Sequence, residues 1–152
     1  MNNLLNTASG VAAELASRLA SIKKSNGYHT DIGVRVLRGR RKIDDNAVPC
    51  AVLVEGLDEV TPHQSRIPQV DITQGYVLVG YDECHPDHPN DKAHLILKDL
   101  KRAVFGDGMT LDSKVRKVEY KGRDIGPRAD GVGIVCASIE IEVKYVEDLQ
   151  NP

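Results

Sequence analysis

The chain has 152 residues, with 20 Lys plus Arg against 22 Asp plus Glu, a formal charge of −2, 41% hydrophobic residues and 28% charged ones. A chain of this size buries about 70% of its unfolded surface on folding, so a core forms without disulfide or metal staples and one soluble globular domain is expected. The balanced charge excludes a global attraction to nucleic acid or anionic lipid and confines any electrostatic function to local clusters.

No run approaches the ~20 apolar residues that cross a bilayer, and the opening MNNLLNTASG lacks the basic and then apolar pattern of a leader, so a cytoplasmic protein without a membrane partner is expected. The three cysteines, Cys50, Cys84 and Cys136, are odd in number and widely spaced, which suits reduced thiols. Five Tyr, one Phe and no Trp supply a poor stacking platform for single-stranded nucleic acid.

Between about residues 3 and 25, Leu4, Val11, Leu15, Leu19 and Ile22 recur at helical spacing, and Lys23, Lys24 and Asn26-Gly27 close the segment. This predicts an amphipathic helix with a basic, glycine-terminated end. From Thr30 the period falls to two, with Ile32, Val34 and Val36 alternating with Asp31, Gly33 and Arg35, and the run enters the basic stretch Arg38-Gly39-Arg40-Arg41-Lys42. A strand leading into a basic loop is expected. After the turn cluster Asp44-Asp45-Asn46, the apolar run Pro49 to Glu55 predicts a second, buried strand.

Thr61 to Gln69 is polar with two prolines and reads as a long connection, followed by a third strand from Val70 to Tyr81 in which Gly75 suggests a bulge or bend. DECHPDHPND, from Asp82 to Asp91, reads as a loop, with Asp91 accepting backbone N–H groups at the start of a second amphipathic helix through Ala93, Ile96, Leu97, Leu100 and Val104. Val115, Val118 and Tyr120 mark a short charged strand, Gly122 to Gly131 a polar loop, and Gly133 to Tyr145 a long strand. In this last strand Val135, Ala137, Ile139, Ile141, Val143 and Tyr145 share the core face, while Ser138, Glu140, Glu142 and Lys144 share the other.

The expected fold is therefore α+β: a mostly antiparallel sheet of about five strands with two helices on one face, in the order α-β-β-β-α-β-β. Residues 1–146 form the domain and 147–152 a tail.

Two constellations carry chemical possibilities. Cys84, His85 and His88, with Asp87, Asp91 and His94, offer thiolate, imidazole and carboxylate ligands for zinc or another transition metal, although their spacing matches no finger or protease pattern. Arg35, Arg38, Arg40, Arg41 and Lys42, extended by Lys114, Arg116, Lys117, Lys121 and Arg123, would make one positive surface if two strand ends lay together. Such charges equally serve to protect an exposed strand edge or to meet a protein partner. No Gly-x-Ser-x-Gly elbow, phosphate loop or His-Glu-x-x-His helix is present, and the glycines of GRDIGPRADGVG precede a strand where a dinucleotide fingerprint needs a helix. No enzyme is expected.

The amino-terminal helix followed by NGYHTDIGVRVLRGRRKID, then PCAVLVEG, then GYDECHPDHPNDKAH and LKDLKRAVFGD, resembles the tail terminator, or tail-completion, family of tailed bacteriophages, over about Leu4 to Tyr145. The resemblance implies a compact α/β fold with helices on one side of a sheet and a structural role without catalysis or cofactor. Subunits of this kind form a ring, typically a hexamer, at the head-proximal end of the tail tube, assembled in the host cytoplasm and carried in the virion. The implied partners are further copies of the chain, the tail tube protein, a head-completion or connector protein, and genomic DNA passing through the lumen without sequence-specific binding. Contact residues are expected in three loops, at Arg38, Arg40, Arg41 and Lys42, at His63 and Arg66, and at Arg123 and Arg128. Two rival expectations are a small metal-binding enzyme or regulator using Cys84, His85, His88 and His94, and a nucleic-acid-binding module using the Arg38 to Lys42 cluster.

Overall fold

The computed structural model describes residues 4–39, 42–62, 66–126 and 132–152. Its elements run α1 (Ala8–Ala20), β1 (Val36–Arg38), β2 (Cys50–Pro62), β3 (Gln69–Glu83), α2 (Pro89–Phe105), β4 (Lys117–Ile125) and β5 (Ile134–Asp148). The five strands form one sheet in the order β1-β2-β3-β5-β4, antiparallel except where β1 meets β2. The α+β class and the order of elements are those expected from the sequence.

Period-two alternation decides which face is buried. On β5, Val135, Ala137, Ile139, Ile141, Val143 and Tyr145 enter the core, as do Ile72, Tyr76 and Leu78 on β3. Val11, Ala12, Leu15 and Leu19 of α1 and Ile96, Leu97, Leu100 and Val104 of α2 cover them from the same side. Full burial of each large aliphatic side chain contributes about 1.5–3 kcal/mol, which makes this layer the main source of stability. Gly80 admits the helices closely, because a Cβ there would meet Ile96 and Ile32.

Several local expectations are corrected. Helix α1 begins at Ala8, where Thr7 Oγ1 accepts the Gly10 N–H at 3.0 Å, and ends at Ala20. Gly27, at φ +86°, closes a separate 3-10 turn, Lys24–Asn26. The alternating run from Thr30 is mostly not a strand: Ile32–Val34 is a 3-10 turn, and only Val36–Arg38 pairs. The reason is contact, since the Gly33 N–H donates to the Ile22 carbonyl at 2.9 Å, and a Cβ at Gly33 would strike the backbone oxygens of Leu19 and Ile22. The chain here lies on the end of α1.

The polar stretches contain more strand than composition suggests. β2 runs on to Pro62, the bulge sits in β2 between Glu55 and Asp58 opposite Gly75, and buried Gln74 ties it down with Nε2 donating to the Gly56 carbonyl at 2.6 Å. β4 continues through a register shift at Gly122, φ +147°, to Ile125, and β5 reaches Asp148, so the tail starts at Leu149. Asp91 lies in the first turn of α2 beside the His88 ring, 3.3 Å from Nδ1, and the helix carries no side-chain cap.

Candidate functional site

The distal half of β2 outruns its cover and forms an exposed arm along β3, which itself stays part-buried and paired with β5 from Gln69 to Glu83. The proximal residues Cys50, Ala51, Val52 and Leu53 are buried, whereas everything from Glu55 to Pro62 is exposed. Leu57 is 94% and Val60 57% exposed on this projecting arm, and Ile67 is exposed near its tip. β1 covers the outer edge of β2 only at Ala51, Val52 and Leu53, with a last bond from the Gly39 N–H to the Leu53 carbonyl at 2.8 Å. Beyond that point the edge has no strand beside it among the described residues. At the far side of the sheet β4 is the other edge; there the Val118 N–H donates to the Met109 carbonyl at 2.6 Å, and the remainder borders no strand among the described residues.

The sheet face turned away from the helices changes character along its length. Around Val52, Val54, Val77, Val79, Tyr81 and Cys136 it is apolar and partly covered. Burial pushes the thiols of Cys50 and Cys136 up, which makes them poor nucleophiles at neutral pH, and all three cysteines are free. Toward the arm the same face becomes ionic. Glu119 lies 3.2 Å from Lys144 and 3.3 Å from Lys117, and these ammonium groups, Lys144 foremost, hold its carboxyl below the usual carboxylate range. Lys121 stands 4.0 Å from Glu142. Between these ends Gly56, Gly75, Gly122 and Ser138 leave shallow grooves of about 320 and 350 Å³, rimmed by Glu59, Glu140, Glu142, Lys121 and Arg123. Carboxylates and cations line them together with Leu57, Val77 and the hydroxyl residues Thr73, Tyr76 and Ser138, which equips the surface for ionic contact.

The expected contact residues are distributed over this surface. Arg38 ends β1 with its guanidinium 3.6 Å from Glu55, and Lys42 is exposed in the following loop. Arg66 is exposed at the tip of the arm, and Arg123 lies on β4 with Nη1 3.3 Å from His94 Nδ1. Arg40, Arg41, His63 and Arg128 lie outside the described residues. The expectation of one shared positive surface is not met by the described residues: Arg38 on β1 and Lys117, Lys121 and Arg123 on β4 sit at opposite edges of the sheet.

The metal candidates also separate. His85 and His88 stack on each other with ring centroids 4.3 Å apart, His94 turns to Arg123, and Cys84 is held by a backbone bond from its N–H to the Gly133 carbonyl. Among the described residues no group of three His, Cys, Asp or Glu side chains is placed to hold a metal ion. Sequence reasoning missed the two open edges and the arm, because an edge is a property of strand order and leaves no mark in composition. The one available signal was the alternation Glu59, Val60, Thr61 before Pro62.

Searches against models of known protein families and against curated protein sequences returned no match to this chain.

Proposed function

We propose that this chain is a structural virion protein of a tailed phage that assembles into a ring at the head-proximal end of the tail tube, ends tube growth and provides the surface to which the head joins. The observation that carries the reading is the pair of edges, on opposite sides of one sheet, that border no strand among the described residues, beside an arm on which Leu57 and Val60 are exposed. A unit with two unlike edges associates head to tail, and head-to-tail contacts generate a closed ring when the rotation between neighbours closes. The one-sided packing of α1 and α2 on the sheet supports the reading as well, as do the segments that resemble tail terminators. Electron microscopy of tail tubes mixed with the purified chain tests it: rings at one end of each tube and arrested elongation are expected, and tubes that keep lengthening with bare ends would sink the proposal.

A further inference from the structure

We infer that neighbouring subunits join by strand addition, the open edge of β2 in one copy pairing antiparallel with the open edge of β4 in the next, with Val60 against Tyr120 and Glu59 against Lys121. The inference rests on the ring reading above and names the surfaces that build the ring.

Polarity comes first. From β2 through β3 and β5 to β4 every neighbour is antiparallel, so β2 and β4 run in opposite directions within one subunit. A second copy in the same orientation therefore presents its β4 antiparallel to the β2 of the first, and the backbone N–H and C=O groups of both edges that border no strand among the described residues find partners.

Charge then selects unlike edges. The open stretch of β2 carries Glu55, Asp58 and Glu59 and no cation. β4 carries Lys117, Lys121 and Arg123 against two carboxylates, Glu119, which is already engaged by Lys117 and Lys144, and Asp124 at its far end. Pairing β2 with another β2 would set carboxylates against carboxylates, whereas β2 with β4 sets them beside cations.

The faces fix the register. Val60 pairs with Ile72 and Tyr120 with Ile141, so both point to the helix side of the sheet, where they remain 57% and 43% exposed. Glu59, opposite Thr73, and Lys121, near Glu142, both point to the other side. In the register named, an apolar pair forms on one face and an ion pair on the other. A slip of one residue turns every side chain to the wrong face, a slip of two in one direction brings Glu59 against Glu119, and in the other it sets Glu59 opposite Arg123, which lies on the helix face beside His94. The pairing stops short of Val118, whose N–H and outer edge are taken by the Met109 carbonyl, and of Pro62, which has no N–H to give. Within its own subunit Tyr120 lies level with Glu55, yet in the pairing it meets Val60, so each copy is displaced along the strands relative to the last. A sheet that closes on itself requires such a stagger.

Cysteine cross-linking tests the pairing. In a background with C84S and C136S, the double variant V60C/Y120C is expected to give, on oxidation, a ladder of covalent oligomers up to the ring size. Each single variant should stay uncross-linked, and a mixture of the two singles should give dimers and nothing larger. Rings that persist by native mass spectrometry without any cross-link overturn the edge pairing and leave the ring reading standing; a chain that stays monomeric at every concentration and in the presence of tubes overturns both. Charge exchange supplies an independent readout on exposed positions that the fold does not need. E59K and K121E are each expected to weaken association about tenfold or more, and E59K/K121E together to restore it. Single variants that assemble like the parent, or a double variant that stays as weak as the singles, overturn the pairing.

Discussion

Arg38 and Arg123 are the two ends of a single row that crosses the whole sheet: Arg38 pairs with Leu53, Leu53 with Leu78, Leu78 with Ile139, and Ile139 with Arg123. Five strands spaced about 4.8 Å apart place the two residues roughly 19 Å from each other across the sheet. Arg38 and Arg123, one from each basic run of the sequence, thus belong to opposite edges, each bordered by its own counter-charge or ring, Glu55 beside Arg38 and His94 beside Arg123. Cations placed this way do not converge on one common ligand, and in the proposed ring they would face different neighbours.

Asp99 is fully buried on α2, and its carboxylate accepts from the N–H of His29 at 3.0 Å, the N–H of Thr30 at 2.7 Å and the hydroxyl of Thr30 at 2.7 Å. This clamp fixes the turn between α1 and β1 against the second helix. Asp99→Ala strands three donors and is expected to cost about 2–4 kcal/mol in urea unfolding, while Thr30→Val, which leaves the backbone bonds in place, should cost about 1–2 kcal/mol. A loss below 1 kcal/mol for Asp99→Ala would show that the clamp is not formed.

Tyr76 buries its hydroxyl in the core with no hydrogen-bond partner among the described residues. Tyr76→Phe is therefore expected to leave stability unchanged or raise it by about 1 kcal/mol. The same burial pushes the Tyr76 phenol up and that of Tyr145 up to about 12. A raised phenol pKa favours the neutral form in the folded state, so the stabilisation is complete below pH 10 and is lost as pH rises from 10 toward 12. Thermal melts across that window should show the loss in the parent and a smaller one in Tyr145→Phe.

Arg18 on α1 donates to Asp107 at 2.9 Å and 3.0 Å and to the carbonyls of Ala103 and Val104 at the end of α2. The guanidinium holds the Asp107 carboxyl below its ordinary range. A depressed carboxyl contributes its stability above the unfolded value near pH 3.9 and loses it as pH falls through the lower folded value. Asp107→Asn should therefore differ from the parent at neutral pH and converge with it once pH falls below the lowered folded value, as followed by melting temperature; because Asp107 is half-exposed, the gap is expected to be small.

Leu111, Asp112 and Ser113 all adopt positive φ, at 49°, 57° and 64°, a left-handed turn that joins α2 to β4. The turn is held by Thr110, whose carbonyl accepts from Lys114 and Val115 and whose hydroxyl accepts from the Ser113 N–H. Side chains at such positions cost about 1 kcal/mol each, so Ser113→Gly at this exposed site is expected to raise stability by about 0.5–1 kcal/mol in urea titration. A decrease would mean that the turn is not left-handed at Ser113.

What the sequence made legible follows from periodicity. The alternation along Val135 to Tyr145 named the core face of β5 correctly, and the helical spacing of Ala93, Ile96, Leu97, Leu100 and Val104 located α2. The failures came where long-range contact overrides local pattern. Ile32 to Val34 alternates like a strand, yet Gly33 is pressed onto α1 and the segment coils. Thr61 and Pro62 and the stretch Gly122 to Ile125 look like loop by composition but pair in the sheet, since a partner strand supplies bonds that propensity does not register. The His and Cys residues read as ligand candidates by type, although stacking of His85 on His88 and the turn of His94 toward Arg123 depend on tertiary placement. Edge status, on which the interaction surface depends, follows only from strand order.

The most direct test of the ring is native mass spectrometry of the purified chain across a range of concentrations, because it counts subunits and bound ions in one spectrum. A closed oligomer, six subunits by the tail-terminator resemblance, without metal is the expected result. A monomer at every concentration, above all one retaining a zinc ion, would contradict the ring and return attention to the loop that carries Cys84, His85 and His88.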